Sequence, residues 1–158
     1  MKLHKKDFCR YYKQYKELSL IHQKLFISKA RPNIPALYSE SLCRFLFNMQ
    51  KSNNKEYDAV LDDNQIEIKA TSSKSGTTSI NPYSKFDILY WLYFEVGKDC
   101  LSVTKIPYGN FEEAFSDIDI KKDKEQKLRM NISLKEFAEG CKVDYFNLIT
   151  LEKTDAKA

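Results

Sequence analysis

Asp58, Glu67 and Lys69 are the residues of this chain whose types and spacing best suit catalysis. They stand in Tyr57-Asp58-Ala59-Val60-Leu61-Asp62-Asp63-Asn64-Gln65-Ile66-Glu67-Ile68-Lys69-Ala70-Thr71-Ser72, which reads as two short strands joined by an Asp-Asp-Asn turn. Side chains alternate faces along a strand, so Glu67 and Lys69 share one face while Ile66, Ile68 and Ala70 share the other. The hairpin bends Asp58 back towards that pair. Two carboxylates and an ammonium on a rigid sheet edge can hold a divalent cation and activate a water beside it, a chemistry suited to cutting a phosphodiester. Taken alone, the pattern equally fits the solvated face of an amphipathic hairpin, so the surrounding elements have to decide.

Two helices precede the hairpin. Over about residues 5–29, Phe8, Tyr11, Tyr12, Tyr15, Leu18, Ile21, Leu25 and Phe26 recur at spacings of three and four, the mark of a core-facing helical stripe with a basic solvated face. Ala30-Arg31-Pro32-Asn33-Ile34-Pro35 breaks the pattern as a linker. A second helix is predicted over about residues 36–50, turning Leu37, Leu42, Cys43, Phe45, Leu46 and Met49 inward. Glu40 falls in its first turn, where it either answers the helix dipole or leans over the hairpin as a further acid. Residues 51–56 form a polar connection.

After Thr71 the chain turns hydroxyl-rich, from Ser72 through Lys74, Ser79 and Asn81 to Lys85. That composition predicts a surface loop whose Ser, Thr, Asn and Lys side chains suit contacts to phosphates and base edges. Residues 86–95 are almost wholly apolar and aromatic, as in a strand buried on both faces, and residues 100–106 pair with them across a Gly97-Lys98-Asp99 turn. Asn110 is expected to cap a short helix carrying Glu113. The mixed-charge segment 119–129 reads as a solvated loop, with Lys and Arg able to reach a phosphate backbone. A strand at 130–134, a short helix at 135–141 and an apolar strand at 145–151 close the chain.

Composition bounds the rest. At 158 residues the chain is long enough for one domain with a real core. Ten Tyr and ten Phe can build that core despite the negative mean hydropathy. A net charge of +4 permits nucleic-acid binding without demonstrating it. The four cysteines, Cys9, Cys43, Cys100 and Cys141, are scattered without zinc-type spacing and are expected to be reduced, so no zinc is expected. No apolar signal segment follows Met1 and no run is long enough for a bilayer, so no membrane association and a cytoplasmic location are expected.

A helix with Glu40, a hairpin with Asp58, Glu67 and Lys69, and then a buried strand resembles the core of the PD-(D/E)XK nucleases. The string Glu67-Ile68-Lys69-Ala70-Thr71-Ser72, followed by Thr78-Ser79-Ile80-Asn81-Pro82 and Lys85-Phe86-Asp87, is similar to small type II restriction endonucleases. Ser39-Glu40-Ser41 resembles the S-E motif upstream of their hairpin. The similarity covers about residues 34–94, and Tyr57 stands where the family's variable proline would be. The resemblance implies an α/β class fold with a mixed α+β sheet, a restriction-endonuclease-like αβββαβ core with an added N-terminal helix. It also implies one nuclease domain over residues 1–158, with its catalytic core at about 34–151.

In that family Asp58, Glu67 and the Ile68 carbonyl would bind Mg2+, for which Mn2+ can substitute. Lys69 would orient the attacking water, and Glu40 would hold a further water or metal. Thr71, Ser72, Lys74, Ser79, Asn81 and Lys85 would contact double-stranded DNA. The expected enzyme is a homodimer cutting a short palindromic or interrupted palindromic site, and a cognate DNA methyltransferase is implied by that function rather than by contact. A structure-specific nuclease on the same fold and a non-catalytic nucleic-acid-binding module are the competing readings.

Overall fold

The computed structural model describes residues 2–27, 31–54, 57–116 and 130–155. The mixed-charge segment 119–129 lies outside the described residues. In chain order the elements are helices α1 (Lys5–Phe26) and α2 (Ala36–Phe47), then strands β1 (Gln50–Lys51), β2 (Ala59–Leu61), β3 (Asn64–Thr71), β4 (Thr77–Ile80), β5 (Ile88–Glu95) and β6 (Cys100–Pro107). Helix α3 (Glu112–Ser116) and strands β7 (Met130–Ser133), β8 (Lys142–Asn147) and β9 (Lys153–Thr154) complete the fold.

Seven strands form one sheet in the order β1-β2-β3-β5-β6-β8-β9, while β4 and β7 form a separate two-stranded ribbon. β3 and β5 run parallel, with Glu67 opposite Leu89 and Lys69 opposite Trp91, and the other neighbours in the sheet are antiparallel. This is the mixed α+β, restriction-endonuclease-like class expected from the sequence. One detail differs. The crossover from β3 to β5 contains strand β4, where the sequence leads one to expect a surface loop alone.

Strand alternation divides the core. Ile66, Ile68, Tyr90, Leu92 and Phe94 face the helices, packing with Phe8, Tyr12, Tyr15, Tyr38 and Leu42. Leu89, Trp91 and Ile106 face the other way, against Ile80, Ile132 and Leu134 of the ribbon region and Phe111 and Phe115 around α3. β5 therefore needs apolar side chains on both faces, which explains its nearly unbroken run. α1 is pinned to the β5–β6 turn, where Tyr12 donates to Asp99 at 2.7 Å and Lys16 meets the same carboxylate at 2.9 Å.

Several expectations need correcting. The buried face of α1 is Phe8, Tyr12, Tyr15 and Ser19, whereas Leu18, Ile21, Leu25 and Phe26 are exposed. The apolar spacing of α1 supports two adjacent stripes, and the sheet covers only one. α2 ends at Phe47, because Asn48 takes a left-handed conformation (φ 52), and Gln50 already belongs to β1. On α2 the buried residues are Tyr38, Ser39, Leu42 and Cys43, which leaves Leu37 and Phe45 out of phase and exposed. Glu40 lies beyond the first turn, so the helix dipole does not account for it.

The region between Ser72 and Lys85 contains β4 and is only partly loop; Thr77 to Ile80 pair with Ser133 to Met130. Asn110 caps no helix; it follows Gly109 in a short 3-10 turn and donates to the Phe137 carbonyl at 3.0 Å. The predicted helix at 135–141 is a 3-10 turn at Leu134–Phe137, and the last apolar strand begins earlier, at Lys142. All four cysteines are free. Among the described residues no helix is long and apolar enough to cross a membrane.

Gly76 shows how closely the ribbon packs on the sheet. Its φ is +63, and a Cβ there would lie 2.5 Å from the Trp91 ring and 3.0 Å from Leu134 Cβ. Backbone conformation and space therefore both require glycine. Gly76→Ala is expected to destabilise the protein by roughly 2–4 kcal/mol, read as a lower Tm. Gly97→Ala, with open space around the added methyl and no positive φ, should leave Tm almost unchanged. Equal effects at the two positions would refute this account.

Candidate functional site

The site is built where β2 leaves β3. Pairing between them covers only Ala59 to Leu61 against Ile66 to Asn64, around a tight turn in which Asp62 and Asp63 both adopt positive φ. Asp58, one residue before β2, donates its N–H to the Ile66 carbonyl at 2.9 Å. The next ladder position is taken by its side chain, as Asp58 Oδ2 accepts the N–H of Ile68 at 2.7 Å. The carboxylate therefore replaces a strand at the open edge of β3. In an extended strand one residue's N–H and C=O point to the same edge, so the Ile68 carbonyl also faces that edge.

Glu67 and Lys69 project from the sheet face opposite the helices, and Lys69 Nζ lies 3.4 Å from Glu67 Oε1. The Glu67 side chain is only 11 % exposed and that of Lys69 only 19 % exposed. Burial, then the neighbouring charge of Asp58, pushes the Glu67 carboxyl up to about 7, while Lys69 opposes the shift. Asp58 is also raised by burial, against the Ile68 N–H and the charges of Lys69 and Arg44. Glu40 is raised by burial and by Asp58, and is opposed by Arg44, Lys69 and Lys51. The predicted residues Asp58, Glu67, Lys69 and Glu40 thus form one electrostatic cluster.

Arg44 was missed by the sequence reading. Its guanidinium donates to the Asp58 carbonyl at 3.5 Å and to Ser41 Oγ at 3.3 Å, so it braces the segment that carries the carboxylate. The i, i+4 spacing of Glu40 and Arg44 on α2 is the signal that could have found it.

The expected DNA-contacting residues divide by environment. Thr71 is buried, accepts the Trp91 indole N–H at 2.9 Å and donates to the Ser73 carbonyl, so its hydroxyl joins β3 to β5. Asn81 Oδ1 accepts the Tyr83 N–H at 2.9 Å within a turn. Lys74 and Lys85 are exposed, while Ser72 and Ser79 are half-buried. Asp87, at the opening of β5, accepts the Gln65 N–H at 2.7 Å and so sets the start of the β3–β5 ladder.

Asp58 and Glu67 supply hard carboxylate oxygens, and their mutual repulsion would be relieved by a cation. Among the described residues no group of three or more His, Cys, Asp or Glu side chains is arranged to hold a metal ion. Mg2+ commonly binds through one or two carboxylates, keeping its waters and accepting substrate oxygens, so the donor set fits that ion.

The raised Glu67 makes a stability prediction with a definite sign. Between about 4.5 and about 7 the folded protein keeps a proton on Glu67 that the unfolded chain has released. Stability contributed by this group therefore falls as pH rises through that window and levels off above it. In EDTA, Glu67→Gln should stabilise the protein at pH 8 by on the order of 1–3 kcal/mol relative to wild type, with the gain shrinking towards pH 5. Thermal melts at the two pH values test this, and a gain independent of pH would exclude Glu67 as the responsible group.

No curated protein matches the sequence. The family model described as Bsp6I restriction endonuclease matches residues 2–136, which include α1, α2 and α3, the hairpin and its acidic cluster. The match spans most of the chain and contains the whole of this site, and the chain belongs to the Bsp6I restriction endonuclease family.

Proposed function

We propose that this restriction endonuclease is a Mg2+-dependent type II enzyme of the PD-(D/E)XK kind, hydrolysing double-stranded DNA at a short palindromic or interrupted palindromic site. The observation that carries the reading is the Asp58 carboxylate held on the Ile68 N–H beside the buried Glu67–Lys69 pair. Asp58, Glu67 and the Ile68 carbonyl would hold the cation, with Glu40 disposed towards a further water or ion. When bound, Mg2+ supplies Lewis-acid polarisation of a phosphoryl oxygen and makes water more acidic.

The chain's own residues do the rest. The Ile68 N–H and Arg44 fix Asp58 before substrate arrives, so the carboxylate needs no reorganisation. Lys69 is a cation in a largely dry site, placed to orient the attacking water and to stabilise charge developing on the phosphate. Glu67 holds Lys69 in place through their 3.4 Å contact. Lys74 and Lys85, exposed on either side of β4, are placed to meet the DNA backbone.

Plasmid DNA incubated with Mg2+ should yield discrete fragments. Asp58→Asn and Lys69→Ala should each lower the cleavage rate by at least ~100-fold while DNA binding persists, and EDTA should abolish cutting. Cleavage surviving in EDTA, or unchanged in Lys69→Ala, would overturn the assignment. Fragments appearing only from branched DNA would point to a structure-specific enzyme instead.

A separate measurement addresses binding. Lys74→Ala and Lys85→Ala should weaken DNA binding across sequences and lower the salt dependence by about one ion each. Unchanged salt slopes would remove these lysines from the interface.

A further inference from the structure

Past Ser19 no described residue of α1 is buried, yet the helix stays apolar. Leu18 is 52 % exposed, Ile21 53 % and Leu25 71 %. With Gln14 they fall at positions 14, 18, 21 and 25, the alternating steps of four and three that make a helix-pairing seam. The buried stripe Phe8, Tyr12, Tyr15 and Ser19 runs beside it at the same spacing and packs on the protomer's own sheet. One helix thus carries two parallel seams, of which the fold of a single chain covers one.

The exposure is concentrated in one layer. Of the eleven large apolar side chains exposed among the described residues, ten lie between Leu3 and Phe45 in the helical layer and only Tyr83 lies elsewhere. Apolar exposure concentrated in one layer is the mark of an interaction surface, in contrast to ordinary single exposed residues.

We propose that the second seam of α1 is covered by α1 of a second copy of this chain, the two helices packed antiparallel about a two-fold axis. Charge selects this occupant and orientation. Glu17 and Lys24, both exposed, immediately precede Leu18 and Leu25 and therefore flank the seam on one edge. The opposite edge carries Tyr15 and His22 and turns towards the protomer's own body. When Leu18 packs against Ile21 of the partner subunit in antiparallel register, Glu17 lies beside Lys24 of the partner subunit. The two-fold axis repeats that unlike pair. The seam is therefore self-complementary in both apolar spacing and charge.

The inference stands on α1 alone and does not depend on the nuclease reading, although a two-fold dimer would give that enzyme a second catalytic site for the second strand. Sedimentation velocity of the full chain without DNA is the test, so its result is separable from any cleavage assay. Wild type should be a dimer at micromolar concentration. Leu18→Gln combined with Ile21→Gln, both at exposed positions, should raise the dissociation constant at least ~100-fold with the circular dichroism spectrum unchanged. Glu17→Lys alone should weaken the dimer, and adding Lys24→Glu should restore it. A wild-type monomer, a dimer indifferent to the double glutamine variant, or a failure of the charge reversal to restore association would each overturn the proposal.

Discussion

The hydrogen bond from the Ile68 N–H to Asp58 is the contact on which the site depends. A strand edge left unpaired presents N–H and C=O groups that need partners. Here the chain joins the ladder only at Ala59, and the carboxylate of the preceding residue takes the position that a backbone carbonyl would otherwise fill. One interaction therefore closes the sheet edge and places an acid there. It also ties the first half of the hairpin to the second, so Asp58 cannot drift from Glu67 without exposing the Ile68 amide.

The sheet adds the constraint that Glu67 and Lys69 must sit on a face that is otherwise apolar. β3 is parallel to β5, and the residues opposite the pair are Leu89 and Trp91, both buried. Low polarity on that side is what lifts Glu67 and strengthens its attraction to Lys69. Thr71, two residues further on, is tied to Trp91 by its hydroxyl, so the strand leaving the site is held as firmly as the strand entering it. Gly76 then lets the chain pass across the Trp91 ring into β4.

Much of this was legible in the sequence, and the misses share a physical origin. The hairpin, the turn at Asp62 and Asp63, and the doubly buried β5 follow from alternation and turn chemistry, which are local. Asp58, Glu67, Lys69 and Glu40 could be named because their spacing is local or carried by a recognisable motif. Which of two neighbouring apolar stripes on α1 meets the sheet is a tertiary matter, and Leu18, Ile21 and Leu25 were assigned to the wrong one. The pairing of β4 with β7 joins segments some fifty residues apart, and β4, Thr77–Ile80, lacks the apolar alternation that would reveal it alone. Arg44 acts through a backbone carbonyl, a contact that residue type does not advertise.

The charges around the acids complete the logic of the site. Burying two carboxylates together is unfavourable, and the fold does not remove that cost with a full set of cations. Lys69 and Arg44 reduce it for Asp58, and Arg44, Lys69 and Lys51 reduce it for Glu40, yet all three acids remain shifted upwards. A site with enough permanent positive charge to hold every carboxylate at its ordinary pKa would have little left to attract a divalent cation. The upward shifts of the three acids thus measure the negative charge that the fold leaves uncompensated around the Ile68–Asp58 bond.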